Sequence, residues 1–212
     1  MANDKFSIKE ALAYGWETFK ANVPFFIGFM VVMGLLTVVP DYIAEKIFEP
    51  KSVGLIAVKV LLRLIGLILG MASTRISLDI HDSGQPDLSR IATIVPQIPS
   101  YLISKILYGL IVLVGLVLLI VPGIIVAYMF LYVGYLVIDR GLGPVAALGE
   151  SRVLTDGYKM DLFLFSLVVA LVNILGVVCL FVGLFVTIPI TLMASAYVYR
   201  RLSPAESVAE TA

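Results

Sequence analysis

The stretch that decides the fold is VGLIAVKVLLRLIGLILGMASTRISL, residues 53 to 78. Its 26 residues carry three charges, Lys59, Arg63 and Arg75. A helix crosses a bilayer core with about 20 predominantly apolar residues, and residues 61 to 78 are long enough alone. Lys59 and Arg63 stand four apart, on one helical face. If the span begins at Val53, Arg63 lies about 15 Å deep and must face a cavity, a lipid phosphate or a carbonyl. If it begins near Leu61, both side chains snorkel to the headgroups and Arg75 anchors the opposite end. Either way Lys59 and Arg63 are candidate contacts for an anion or a lipid headgroup.

Working outward, the whole chain has this character. Of its 212 residues 60% are hydrophobic and 14% charged, with a mean hydropathy of +1.05; soluble domains carry about 25% charged residues. The charges crowd into short segments between long apolar runs, the pattern of a polytopic membrane protein. Fifteen basic and 15 acidic residues cancel, so no net field argues for a nucleic-acid partner. The single cysteine, Cys179, lies in an apolar run and reads as a small filler. Residues 1 to 22 hold Asp4, Lys5, Lys9, Glu10, Glu17 and Lys20 and no uninterrupted apolar core, so they are not expected to be a cleaved signal peptide. The first span is expected to act as an uncleaved signal.

Six apolar segments are expected: 24–40, 53–78, 102–121, 124–138, and two within 162–199 hinged around Gly183. The fold class they imply is all-α, a polytopic membrane bundle of about six transmembrane helices in three hairpins. VPG at 121–123 is expected to break the chain sharply. Segments of about 16 residues cover roughly 24 Å, short of a hydrocarbon core of about 30 Å. Two of the hairpins are therefore expected to need a locally thinned bilayer or a re-entrant path. With the N-terminus inside, the inner segments hold Lys5, Lys9, Lys20, Arg75, Arg90, Lys105, Arg140, Arg152, Lys159, Arg200 and Arg201. The outer side holds at most Lys46, Lys51, Lys59 and Arg63. This asymmetry puts both termini in the cytoplasm. One domain is expected over residues 1–202, with a disordered tail over 203–212.

Each hairpin is preceded by an amphipathic segment. Ile8, Leu12, Trp16, Phe19 and Val23 form one helical stripe, and Ser7 with Glu10 forms a capping box. The expected role is an elbow lying in the headgroup layer, with Trp16, Phe19 and Lys20 at the interface. Asp87 with Leu88, Ile91 and Val95, and the segment opened by Pro144, are the expected counterparts. The joints KANVPFF (20–26) and KMDLFLF (159–165) point to internal duplication.

EALAYGWETFKANVPFFIG, VPGIIVAYMFLYVGYLVIDRGLGPVAALGESRVLTDG and IPITLMASAYVYRRL resemble a broad group of bacterial multi-pass proteins. These are similar to the membrane domain attached to some glycerophosphodiester phosphodiesterases. The resemblance implies a helical bundle in the bacterial cytoplasmic (inner) membrane, and no activity, because the catalytic barrel has no counterpart here.

No catalytic, cofactor-binding or metal residue is nominated. The only histidine, His81, reads as a solvated loop residue. No zinc-type cluster, phosphate-cradling loop or nucleophile elbow is present, and no acid falls inside an apolar run, as a proton relay requires. Asn173 is expected to hydrogen-bond between helices, and Gly66 with Gly70 to seat a close helix contact. The expected function is a non-enzymatic scaffold, accessory subunit or membrane-homeostasis factor. Its partners would be membrane lipid, a second copy or another membrane protein. The alternative is a small transporter or channel for an anionic or amphiphilic solute, its path lined by Lys59 and Arg63 and its helices broken at Pro122 and Pro189. A lipid-processing enzyme is the weakest expectation, for want of a nucleophile.

Overall fold

The computed structural model describes residues 6–203. Most of the expected tail therefore lies outside the described residues. Nine α-helices follow in order: α1 (Ile8–Ala21), α2 (Val23–Ile47), α3 (Val53–Ser83), α4 (Ile98–Leu118), α5 (Ile120–Met129), α6 (Val133–Arg140), α7 (Pro144–Leu154), α8 (Lys159–Val178) and α9 (Leu184–Leu202). A 3-10 segment, η1 (Leu88–Gln97), precedes α4. The fold is an all-α polytopic bundle without strands among the described residues.

Local chemistry sets the helix ends. Ser7 caps α1 by accepting from the Glu10 amide at 3.5 Å, and Ser52 caps α3 by accepting from the Leu55 amide at 3.2 Å. Gly84 (φ 78°) and Gly141 (φ 65°) close α3 and α6 in the left-handed conformation that glycine adopts without penalty. Pro99 and Pro144 stand in the first turns of α4 and α7, where a missing amide costs nothing.

Several boundaries differ from expectation. The chain breaks at Leu119, in extended conformation, and Pro122 sits in the first turn of α5, a position that needs no donor. Pro40 and Pro189 lie inside continuous helices, so neither ends a segment. Two of the supposed short helices are full length, whereas α5 stops after 10 residues, at Met129. With 21 and 20 residues, α4 and α8 reach about 30 Å each. Five helical stretches are long and apolar enough to cross a membrane: 23–47, 53–83, 88–118, 120–140 and 159–178. The sixth expected segment, α9, instead forms the centre of the protein. Its second half is buried from Ile190 to Leu202 at most positions, and α1 packs along it.

Three hairpins, α2–α3, α4–α5 and α8–α9, point their tips away from one common base. At the base Met71, Leu78, Leu136, Val137, Ala147, Leu162 and Tyr199 form the main core, and Phe19, Phe26, Ile76, Ile190 and Met193 a second. Towards the tips each helix is sheathed in exposed apolar side chains. On α2 these run from Ile27 to Ile47, 21 residues or about 30 Å, with Asp41, Glu45 and Lys46 among them at the tip-ward end.

Two hairpins are closed by paired glycines. Gly115 faces Gly123 so closely that a Cβ on the former would stand 2.9 Å from the latter's Cα. A Cβ on Gly123 would meet the Leu116 amide nitrogen at 2.6 Å. Gly176 and Gly183 repeat the arrangement, with a Cβ on Gly183 falling 2.7 Å from the Gly176 Cα. Small residues let backbones approach where lipid offers no hydrophobic drive for association. We expect Gly123→Val to separate α4 from α5, and loss of a disulfide engineered across that seam, judged against the parent protein, is the measurement.

Candidate functional site

Two groups of polar side chains stand out, one in the base and one among the hairpins. The base group consists of closed ion pairs. Asp79, 1% exposed, accepts from Arg90 at 2.7 Å and from Arg75 at 2.9 Å. Asp139 accepts from Arg200 at 2.6 Å and from the Tyr199 hydroxyl at 2.8 Å. Arg200 also reaches Asp82 at 2.6 Å. These contacts tie α3, η1, α6 and α9 together. Every acid in them is engaged by a cation, and together they hold the base.

Sequence reasoning started a polar loop at Asp79; instead α3 continues to Ser83 and Asp79 is buried in it. The Arg75-x3-Asp79 spacing on one helical face was the available signal. Arg75 is accordingly a partner of Asp79. His81 also departs from expectation. It belongs to the last turn of α3, its ring 5.2 Å from that of Tyr14 and 6.1 Å from that of Tyr197.

The second group lines an open cleft of about 690 Å³ between α2, α3 and α4. α2 contributes Thr37, Val38 and Asp41; α3 contributes Lys59, Leu62, Arg63, Gly66, Leu67 and Gly70; α4 contributes Tyr101 and Lys105. Apolar side chains stay exposed on both sides of the cations, from Val53, Ile56 and Val60 to Leu64 and Ile68. On α3 apolar exposure thus continues past Lys59 and Arg63 towards the hairpin tip, while the facing end of α2 carries Asp41, Glu45 and Lys46. Lys59 is engaged, donating to Glu45 of α2 at 2.7 Å. Arg63 is exposed and makes no hydrogen bond or ion pair among the described residues.

Gly66 and Gly70 floor the cleft. A Cβ on either would meet nothing within 4 Å, so no helix of this chain packs there among the described residues. Asn173 donates to Thr191 of α9 at 3.3 Å, linking α8 to α9. At the elbow, Trp16 is 45% exposed, with the Lys20 ammonium 5.6 Å from its ring and 2.9 Å from Glu17. Phe19 points the other way, into the second core beside Phe26. Of the apolar stripe of α1, Ile8 and Leu12 pack on the main core and Phe19 and Val23 on the second, and Trp16 stays exposed, while Gly15 meets α9 at Ile190.

Lys105 is the residue that sequence reasoning misplaced. Counted as a flanking charge, it lies two turns inside α4 and faces the cleft, its ammonium 5.2 Å from the Tyr101 ring. Among the described residues no three His, Cys, Asp or Glu side chains gather as a metal site. No protein-family model, curated protein or solved structure matches the chain.

Proposed function

We propose that this chain is a non-enzymatic, multi-pass protein of the bacterial inner membrane, its two ends cytoplasmic, that takes up an anionic amphiphile and so serves membrane homeostasis. The observation that carries this reading is Arg63. A guanidinium exposed to a cleft inside an apolar belt, without an ion pair of its own, is costly unless an anion meets it. Leu62, Leu67 and Val38 beside it suit an acyl chain. Headgroup and tail would thus be read by one surface. The bundle contributes binding and orientation, and no covalent step is assigned to it. The concentration of cations in the base supports the cytoplasmic placement of that end.

The test is native mass spectrometry of the protein released gently from its own membrane. The parent protein is expected to retain a defined anionic lipid or anionic solute. Arg63→Leu is expected to insert and fold normally yet bind that species ten- to a hundredfold more weakly, since a hydrogen bond to a charged group contributes about 1.5–3 kcal/mol. Equal retention by both forms removes the reading. A stoichiometric foreign subunit in place of a lipid would favour the accessory-subunit role.

A further inference from the structure

We propose that Arg63 and Lys105 form a two-cation clamp that holds a single phosphate group at membrane depth. The inference rests on the reading above and adds Lys105, on the opposite wall, as a second binding residue.

The geometry follows from the antiparallel run of α3 and α4. The base-ward ends of the cleft lining are Gly70 on α3 and Tyr101 on α4. From Gly70, Arg63 stands seven residues towards the tips, about 10 Å. From Tyr101, Lys105 stands four residues in the same direction, about 6 Å. Both cations thus line the cleft on the tip-ward side of those ends, on different helices, and Gly66 leaves the space beside Arg63 unfilled.

The charges point to the same ligand. Lys59 is taken by Glu45 and leaves the account, whereas Lys105 makes no ion pair among the described residues. Against Arg63 and Lys105 stands one acid, Asp41, so the cleft keeps a net positive charge. An arginine fork and a lysine point charge are the two side chains best suited to phosphate oxygens. The cleft walls between them are apolar and open, and phospholipid is the phosphate-bearing molecule that surrounds such a wall. Free phosphate offers the same oxygens without the tail.

The experiment titrates the detergent-solubilised full chain with dioctanoyl phosphatidate, read by native mass spectrometry, and repeats it with inorganic phosphate. Lys105→Met and Arg63→Met are each expected to weaken phosphatidate binding at least tenfold, with Lys105→Arg restoring it and inorganic phosphate failing to compete. Should Lys105→Met not insert, Lys105→Gln reads the same contact. Loss in the Arg63 variant alone would overturn the clamp and leave the cleft as the binding surface. Loss in neither variant would remove both. Competition by inorganic phosphate at equal concentration, with the same dependence on Lys105, would keep the clamp and assign its phosphate to a soluble source.

Discussion

Gly15→Leu is expected to give a chain that enters the membrane but cannot close its base. Gly15 lies where α1 crosses α9, and a Cβ there would collide with the Ile190 carbonyl oxygen and stand 3.1 Å from its carbonyl carbon. The obstacle is backbone, which cannot swing aside as a side-chain tip can. Overpacking of a well-filled core costs about 1–3 kcal/mol, and more where no rotamer relieves it. The larger loss comes from separation of the two helices, because α1 buries Ala11 and Phe19 on the same surface. A disulfide engineered between α1 and α9 should form in the parent protein and not in the variant. Thermal scans in detergent should show the base transition shifted down or absent. Gly15→Ala should fall between the two, and equal behaviour of all three forms would mean that α1 does not depend on that crossing.

Asp79→Leu is expected to be the most damaging single change of charge. It would leave Arg75, 12% exposed at its side chain, without its 2.9 Å partner and release Arg90 as well. Removing one member of a buried ion pair costs about 3–5 kcal/mol, because the remaining charge stays desolvated. Asp79→Asn should lose most of that, keeping the shape but not the charge. The combined change Asp79→Leu, Arg75→Met and Arg90→Met should recover much of the stability, since apolar side chains of similar volume can replace such a cluster. Melting temperatures of the three proteins in one detergent decide the matter. A triple variant no more stable than Asp79→Leu would show that the cluster acts through shape and not through charge.

How far the residues announce this arrangement depends on the range of the interaction. The α2–α3 hairpin is legible because apolar runs broken by a polar joint need no partner to be read, and the α8–α9 turn because Gly183 interrupts an otherwise apolar run. The capping of α1 by Ser7 and the close of α3 at Gly84 are local for the same reason. Phe19 was legible as apolar, but hydropathy does not separate a face turned to lipid from one turned to protein. The small residues Ala11 and Gly15 above it were the sign of a helix contact. Lys105 lay within the expected segment 102–121 but was counted with the inner flanking charges, as a cation near a span end ordinarily is. Pro99, suited to a first helical turn, would have started α4 four residues earlier and set the lysine two turns deep. The cleft itself could not be read at all. It exists because α4 stands across from α3, and no periodicity within either helix states that.

The confinement of tight packing to the base has a thermodynamic consequence. In water a helix gains by hiding apolar surface, but the upper parts of these hairpins face lipid whether or not the base is intact. Opening the base therefore exposes new surface only in its own part of the chain. Denaturant sensitivity scales with the surface newly exposed, so the slope of a urea titration should be that of a protein much shorter than 212 residues. The hairpins would persist through the transition as separate inserted units, in the manner of two-stage assembly. What such a titration measures is the stability of the joint that gathers them, and through it the width of the cleft.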